Sequence, residues 1–354
     1  MTLREDALAA LARVIDPELR RPITELGMVG EISEDRVEIK LTVATCPAAE
    51  RIRQDAQDQV DNLGLRVDLA VMNQSERDQL KELLREGKPA RVNPFEAGTL
   101  TEVLLIGSGK GGVGKSTITA NLAVSLAARG LSVGLIDADI FGYSIPGQLG
   151  ITDKPTKLDE MILPPVAFGV KVISIGMFVD GSQAIAWRGP MLHRTIEQFL
   201  KDVYWGDLDY LLIDMPPGTG DIAISLGQQL PTAKTVVITT PQLAASDVAV
   251  RSGLVGQQTG QSCLGVIENM SWLELPDGTR NELFGVGGGE EVAKALDAPL
   301  LGQIPLSSNL RQASDSGIPA VFQNEQDPAV TAIQGILEKL VRGRSLKGKR
   351  IPLA

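Results

Sequence analysis

Two lysines, two hydroxyls and a run of glycines fall together at Gly109-Lys110-Gly111-Gly112-Val113-Gly114-Lys115-Ser116-Thr117. From Gly109 to Ser116 the spacing fits G-x-x-x-x-G-K-[ST], a loop built to hold phosphate. Glycines let the backbone curl so that successive N–H groups converge on phosphate oxygens. The helix expected next turns its positive N-terminus to the same anion. Lys115 would neutralise the β- and γ-phosphates of a nucleotide, and the Ser116 hydroxyl would ligate Mg²⁺. Two acidic stretches offer the rest of such a site. Leu135-Ile136-Asp137-Ala138-Asp139 ends one apolar run, and Leu211-Leu212-Ile213-Asp214-Met215-Pro216-Pro217-Gly218 ends another. Asp214 would act on Mg²⁺ through a water or through Ser116, and Gly218 would offer its N–H to the γ-phosphate. Asp139 is the candidate for orienting or deprotonating the attacking water.

These residues need a scaffold, and the chain from Leu100 onward supplies an alternating one. Strands are expected at 102–107, 132–137, 170–176, 209–214, 234–240, 264–268 and 300–304. Helices are expected at 116–129, 190–203, 221–229, 245–258, 289–297 and 328–341. Continuous apolar runs such as Tyr210-Leu211-Leu212-Ile213 and Val236-Val237-Ile238 suit a parallel sheet covered on both faces. The fold class is therefore α/β: a doubly wound, mostly parallel sheet over 100–354, with ligands at the carboxyl ends of its strands.

Residues 1–88 read as a separate small α+β domain in the order α-β-β-α-β-α. Val37, Ile39, Leu41 and Val43 alternate with polar residues, as do Leu65, Val67, Leu69 and Val71. Cys46-Pro47 opens a helix from Ala48 to Asn62, and Ser75 is expected to cap the last one. The two prolines and the glycine of 89–99 mark a linker.

Composition narrows the function classes. A net charge of −10 opposes broad nucleic-acid binding, and no partner of that kind is expected. No apolar run reaches membrane-span length and the first residues lack a signal-peptide pattern, so a cytoplasmic protein is expected. The two cysteines, Cys46 and Cys263, form no cluster that could hold zinc. Cys46 stands before a helix N-terminus, a position that favours thiolate and makes it the candidate metal ligand. Cys263, beside an apolar strand, reads as a small hydrophobe, and His193, in a predicted helix, as a packing residue without a partner.

The second lysine, Lys110, is not required by a phosphate cradle. With it, the loop resembles that of the deviant Walker A ATPases, which include chromosome-partition and division-site ATPases, the nitrogenase iron protein and the Mrp/ApbC iron–sulfur carriers. Trp187-Arg188-Gly189-Pro190-Met191, Asp214 to Asp221, Glu268-Asn269-Met270-Ser271 and Phe284 to Gly289 are similar to the Mrp/ApbC branch. Asp16-Pro17-Glu18 and Thr45-Cys46-Pro47 resemble the small domain fused to many bacterial members. The resemblance implies a homodimer in which Lys110 reaches the partner's ATP, and an Asn269 that contacts adenine. It further implies weak ATP hydrolysis, and a [4Fe–4S] cluster passed between an assembly scaffold and apo iron–sulfur proteins. Many members hold that cluster on a Cys-x-x-Cys after the Glu-Asn-Met-Ser segment. Here that stretch reads Ser271-Trp272-Leu273-Glu274-Leu275-Pro276-Asp277-Gly278-Thr279, without cysteine.

Two other readings stand beside the carrier. One is an assembly chaperone that holds no cluster itself. The other is a positioning or scaffolding ATPase, for which the apolar stripe Val330, Ile333, Ile336, Leu337, Leu340 and Val341 and the basic residues after it would form a membrane-facing helix. A closing helix packed on the sheet accounts for the same stripe.

Overall fold

The computed structural model describes residues 2–44, 46–87, 92–96, 98–140, 142–178, 189–323 and 326–342. Thr45, Lys88, part of the expected linker, Trp187-Arg188 and the tail cations Arg344, Lys347, Lys349 and Arg350 lie outside the described residues. The chain divides into two compact units.

The first unit comprises Met1–Val92, Asp153–Val166 and Lys201–Gly206. It opens with α1 (Leu3–Leu11), whose Thr2 and Glu5 exchange the reciprocal bonds of a capping box. β1 (Val29–Ile32) and β2 (Arg36–Leu41) follow, then α2 (Ala49–Val60), β3 (Arg66–Val71) and α3 (Gln74–Arg85). β2 lies between an antiparallel β1 and a parallel β3, and Val37, Ile39 and Leu41 point into the core. The cap of α3 is Asn73, not Ser75. Asn73 Oδ1 accepts from Glu76 N at 3.0 Å and Glu76 answers to Asn73 N at 2.8 Å. The Asn73/Glu76 pair satisfies two helix-end donors at once, which a lone serine two residues later does not.

The second unit comprises Asn93–Thr152, Ala167–Leu200 and Asp207–Ala354. β4 (Glu102–Ser108) runs into the glycine-rich loop and α4 (Lys115–Ala128), then β5 (Val133–Asp137) and the short α5 (Ile145–Gln148). After the hairpin β6 (Thr156–Leu158) and β7 (Met161–Leu163), which groups with the first unit, come β8 (Val166–Ala167), β9 (Val170–Ser174), α6 (Gly189–Lys201), β10 (Tyr210–Asp214) and α7 (Asp221–Gln229). β11 (Lys234–Thr239), α8 (Leu243–Gln258), β12 (Ser262–Glu274), β13 (Arg280–Asn281) and α9 (Gly288–Ala295) follow. β14 (Leu300–Leu306), α10 (Ser308–Ser316), α11 (Ala320–Gln323) and α12 (Pro328–Arg342) end the described chain.

The large sheet has the order β13-β12-β11-β4-β10-β5-β9-β8, with β14 also on β12, and its central pairs are parallel. Every residue of β4, β5, β9 and β10 is buried, as a sheet covered on both faces requires. This is the expected α/β architecture. α12 buries Val330, Ile333, Ile336, Leu337 and Leu340 and lies against β14 and α4. Its apolar stripe is thus core and not a membrane-facing surface. Among the described residues no helix is long and apolar enough to cross a membrane.

The β6–β7 hairpin was not legible as part of the first unit. Leu158, Met161 and Leu163 join one core with Ile52, Ala56 and Val60. Asp159 accepts from Lys81 Nζ at 2.6 Å, and Glu160 pairs with Arg85.

Candidate nucleotide site

The site forms where β4, β5 and β10 deliver their last residues to one edge of the sheet. Asp137 and Asp214 occupy paired positions at the ends of β5 and β10, and Ile106 of β4 is opposite Asp214. The glycine-rich loop leaves β4 on that edge. Gly112 and Gly114 both adopt φ near +81°, a conformation that side chains with a Cβ resist. At Gly109 a Cβ would meet Ala249 N of α8 at 2.3 Å, so only glycine allows the loop to cross that helix. Gly111 is exposed, Val113 is buried, and Thr117 lies in the first turn of α4.

At the loop's end the polar side chains knot around one carboxylate. Lys115 Nζ stands 2.6 Å from Asp214 Oδ2, and Ser116 Oγ donates to the same oxygen at 2.6 Å. Thr119 Oγ1 donates to Asp214 Oδ1 at 2.9 Å. Asp214 has no exposed surface and Lys115 is 6% exposed. Burial pushes the Asp214 carboxyl up, against Lys115, Ser116 and Thr119, which all favour its charged form. Thr119 was missed by sequence reasoning, although it sits one turn after Lys115 on the same helix face, a spacing that could have found it.

Asp139 Oδ2 lies 3.9 Å from Lys115 Nζ, while its Oδ1 accepts from Gly142 N at 3.1 Å. Asp137 is a structural hub. Its oxygens accept from Asp139 N at 3.2 Å, Ile145 N at 3.3 Å and Ser174 Oγ at 3.1 Å. Burial, reinforced by the Asp214 charge, pushes the Asp137 carboxyl up to about 7. Lys110 is exposed, and its carbonyl accepts from Ser108 Oγ at 3.0 Å. Gly218 departs from expectation. Its N–H donates to the Ser108 carbonyl at 2.8 Å, because the turn after β10 folds back onto the end of β4, so it is not aimed at a γ-phosphate.

Beside the loop opens a cavity of about 640 Å³. Gly114 and Thr117 of the loop and α4, Asn269, Met270 and Leu273 of β12, and Pro305 to Ser308 with α10 are among the residues that line it. Asn269 is buried and donates through Nδ2 to the Val113 carbonyl at 2.8 Å, tying β12 to the loop. Its neighbour Glu268 accepts from Gly289 N at 2.6 Å and from Gln303 Nε2 at 2.8 Å. Glu268 therefore anchors the Gly287–Gly289 turn at the start of α9.

The donor set matches a Mg²⁺–nucleotide. Ser116 and Asp214 offer hard oxygen ligands, Lys115 and the loop amides offer phosphate contacts, and the adjoining cavity has room for a nucleoside. The fit to a cluster is different. Among the described residues no group of three or more His, Cys, Asp or Glu side chains could hold a metal ion. Cys46 does accept from the N–H groups of Ala48 and Ala49 at the start of α2, which favours thiolate. Burial and the nearby Glu18 and Asp16 carboxylates outweigh those two bonds and push its thiol up to about 11. The expected thiolate is therefore a buried, protonated thiol. Cys263 packs with Val266 and Val292, and burial raises it too. His193 does have a partner, a 2.7 Å hydrogen bond with Ser225 Oγ that joins α6 to α7.

A parallel sheet with the glycine-rich loop after its central strand, and the lysine–serine–aspartate knot at that loop's end, define a P-loop NTPase of the ParA and MinD type. Residues 99–341 match the family model described as NUBPL iron-transfer P-loop NTPase, and residues 4–71 match one described as iron-sulfur cluster assembly protein. The chain belongs to the NUBPL iron-transfer P-loop NTPase family. It is 51% identical over 361 residues to an iron-sulfur cluster carrier protein of Mycobacterium bovis, covering 97% of this chain and 95% of the relative. A carrier protein of Bacillus subtilis is 38% identical over 346 residues, covering 96% and 97%. A nucleotide-binding protein from Archaeoglobus fulgidus in complex with ADP shares 37% identity at a TM-score of 0.54, over 63% of this chain and 89% of that one. The septum site-determining protein MinD of Pyrococcus horikoshii, complexed with Mg-ADP, shares 25% identity at a TM-score of 0.53, over 71% and 100%.

Proposed function

We propose that this protein is an ATP-binding, ATP-hydrolysing iron–sulfur cluster carrier that works as a homodimer in the cytoplasm and delivers clusters to apoproteins. The observation that carries the ATPase reading is the knot in which Lys115, Ser116 and Thr119 converge on Asp214. When nucleotide enters, Lys115 exchanges Asp214 for the β- and γ-phosphates, the loop amides cradle the phosphate oxygens, and Asn269 lies along the base. Ser116 and Asp214 would hold Mg²⁺, which would supply charge neutralisation at the phosphates. Asp139, beside Lys115, orients the attacking water. Lys110, exposed on the loop, reaches the partner's nucleotide and stabilises charge in the transition state. In this reading 1–88 would be the small domain, 89–99 the linker and 100–354 the ATPase, although Asn93 onward already groups with the second unit and 153–166 and 201–206 group with the first.

With two cysteines in the chain, one protomer cannot furnish four thiolates, and Cys46 is a protonated thiol. That observation favours a second reading, an ATP-dependent assembly chaperone that holds no cluster of its own. Anaerobic incubation with iron and sulfide, with and without an apo-acceptor, followed by iron counting and Mössbauer spectroscopy, separates the two. Stoichiometric cluster on the protein supports the carrier. Acceptor loading that depends on ATP, with no cluster held, supports the chaperone.

A further inference from the structure

Asp327 belongs to no motif and stands far in sequence from the glycine-rich loop, yet it is a buried carboxylate, 5% exposed, bonded to Ser307 in the wall of the nucleoside-sized cavity. Its Oδ2 accepts two bonds, from Ser307 Oγ at 2.9 Å and from Asn309 Nδ2 at 2.9 Å. Its Oδ1 accepts from Ala329 N at 2.8 Å, in the first turn of α12. Ser307 in turn caps α10 by accepting from Leu310 N at 3.0 Å. One carboxylate thus fastens the starts of two helices. The first carries the cavity wall of Ser307, Ser308, Leu310, Arg311 and Ser314. The second, α12, packs against α4, the helix that begins at Lys115.

We propose that Asp327 is a positioning residue for the nucleoside end of the bound nucleotide. It holds the Ser307–Ser308 corner at the distance from Asn269 and Gly114 that a base and ribose fill. The inference rests on reading the cavity as the nucleoside half of the ATP site. The phosphate half lies on the loop, and none of these Asp327 bonds reaches it. A carboxylate accepting two charge-assisted bonds at one oxygen is stronger than a neutral amide there, and an amide would turn an N–H toward a donor.

The test uses the full chain and two probes, Mg-ADP and Mg-tripolyphosphate, the second having phosphates but no nucleoside. In Asp327→Asn the Kd for ADP should rise about tenfold while the Kd for tripolyphosphate stays within about twofold. In ATP turnover the KM should rise with it and kcat at saturation should hold. The exchange variant D327N/N309D, which swaps donor and acceptor across the same contact, should recover most of the ADP affinity. Unchanged ADP binding in Asp327→Asn overturns the proposal, as does equal loss of both probes, which would mark a general structural role. A wild-type protein that binds neither probe would instead refute the ATP-site reading itself.

Discussion

Glu18→Gln should remove a pH dependence from the stability of the first unit. Glu18 is buried, and its Oε1 accepts from Thr156 Oγ1 of the β6–β7 hairpin at 2.8 Å. Burial pushes its carboxyl from an ordinary 4.5 up to about 7; the Thr156 bond opposes this, and the Asp16 and Asp153 carboxylates add to it. Asp16 is itself raised by burial, and the Cys46 thiol on the same side is neutral below about 11. Between 4.5 and about 7 the folded unit keeps a proton on Glu18 that the open chain has lost. Stability therefore falls as pH rises through that window, and below it nothing is lost. At about 1.4 kcal/mol per pH unit, the difference accumulates to about 3 kcal/mol by pH 8. Glutamine keeps the acceptor for Thr156 and the volume, and it has no proton to lose. Wild type and Glu18→Gln should match at pH 5, and by pH 8 the variant should be the more stable by up to about 3 kcal/mol. Hydrogen exchange of peptides spanning β2 and β3, corrected for intrinsic rates, reads this locally as protection about 100-fold higher in the variant. Parallel pH profiles for the two proteins would refute the assignment of a raised Glu18. Thr156→Val, which removes the opposing bond, should steepen the wild-type decline.

Four further outcomes follow from the same geometry. Lys110→Ala should abolish ATP turnover while leaving Mg-ADP affinity within about threefold, measured by phosphate release and calorimetry; undiminished hydrolysis would remove Lys110 from the mechanism. Lys115→Ala leaves the buried Asp214 without its cation, and urea unfolding should show a loss of about 3–5 kcal/mol that the double variant K115M/D214N largely recovers. Leu163→Ala, in the core shared with Ile52 and Val60, should cost about 2–5 kcal/mol and act on the first unit; unaltered exchange in β2 would contradict the shared core. Cys46 should react slowly with iodoacetamide at pH 8, as a thiol raised to about 11 must, and Glu18→Gln should speed it by removing a neighbouring negative charge.

The phosphate loop was legible because its chemistry is local. Gly109 to Ser116 depends on spacing within one turn, and the strands that carry Asp137 and Asp214 announce themselves as continuous apolar runs. The sequence pattern failed where the answer depended on chain segments far apart. Met161-Ile162-Leu163 has the composition of any short strand, and nothing in it says that its core partner is Ile52 rather than the neighbouring sheet. Asp327 reads as a loop acid until Ser307 and Asn309 are brought to it by the β14–α10 corner.

Cys46 marks the same limit from the chemical side. A cysteine before a helix N-terminus carries a local signal for thiolate, and the two backbone bonds that produce the signal are present. The opposing effects, burial and the carboxylates of Glu18 and Asp16, arise from the fold of the unit and are larger. The same Glu18 is held by Thr156, a residue that the chain supplies from between β5 and β9 of the ATPase sheet. The protonation of Cys46 is thus set jointly by the N-terminal segment and by a hairpin whose ends continue into strands of the nucleotide-binding unit. A thiol that must lose its proton before it can bind iron is kept neutral first by burial and then by the charge of a carboxyl that itself titrates at about 7. Changes at Thr156 should therefore be felt at Cys46 as well as at Glu18. Iodoacetamide labelling of Cys46 in Thr156→Val measures this, and a labelling rate identical to wild type across pH 6–9 would show that Glu18 and Cys46 titrate independently.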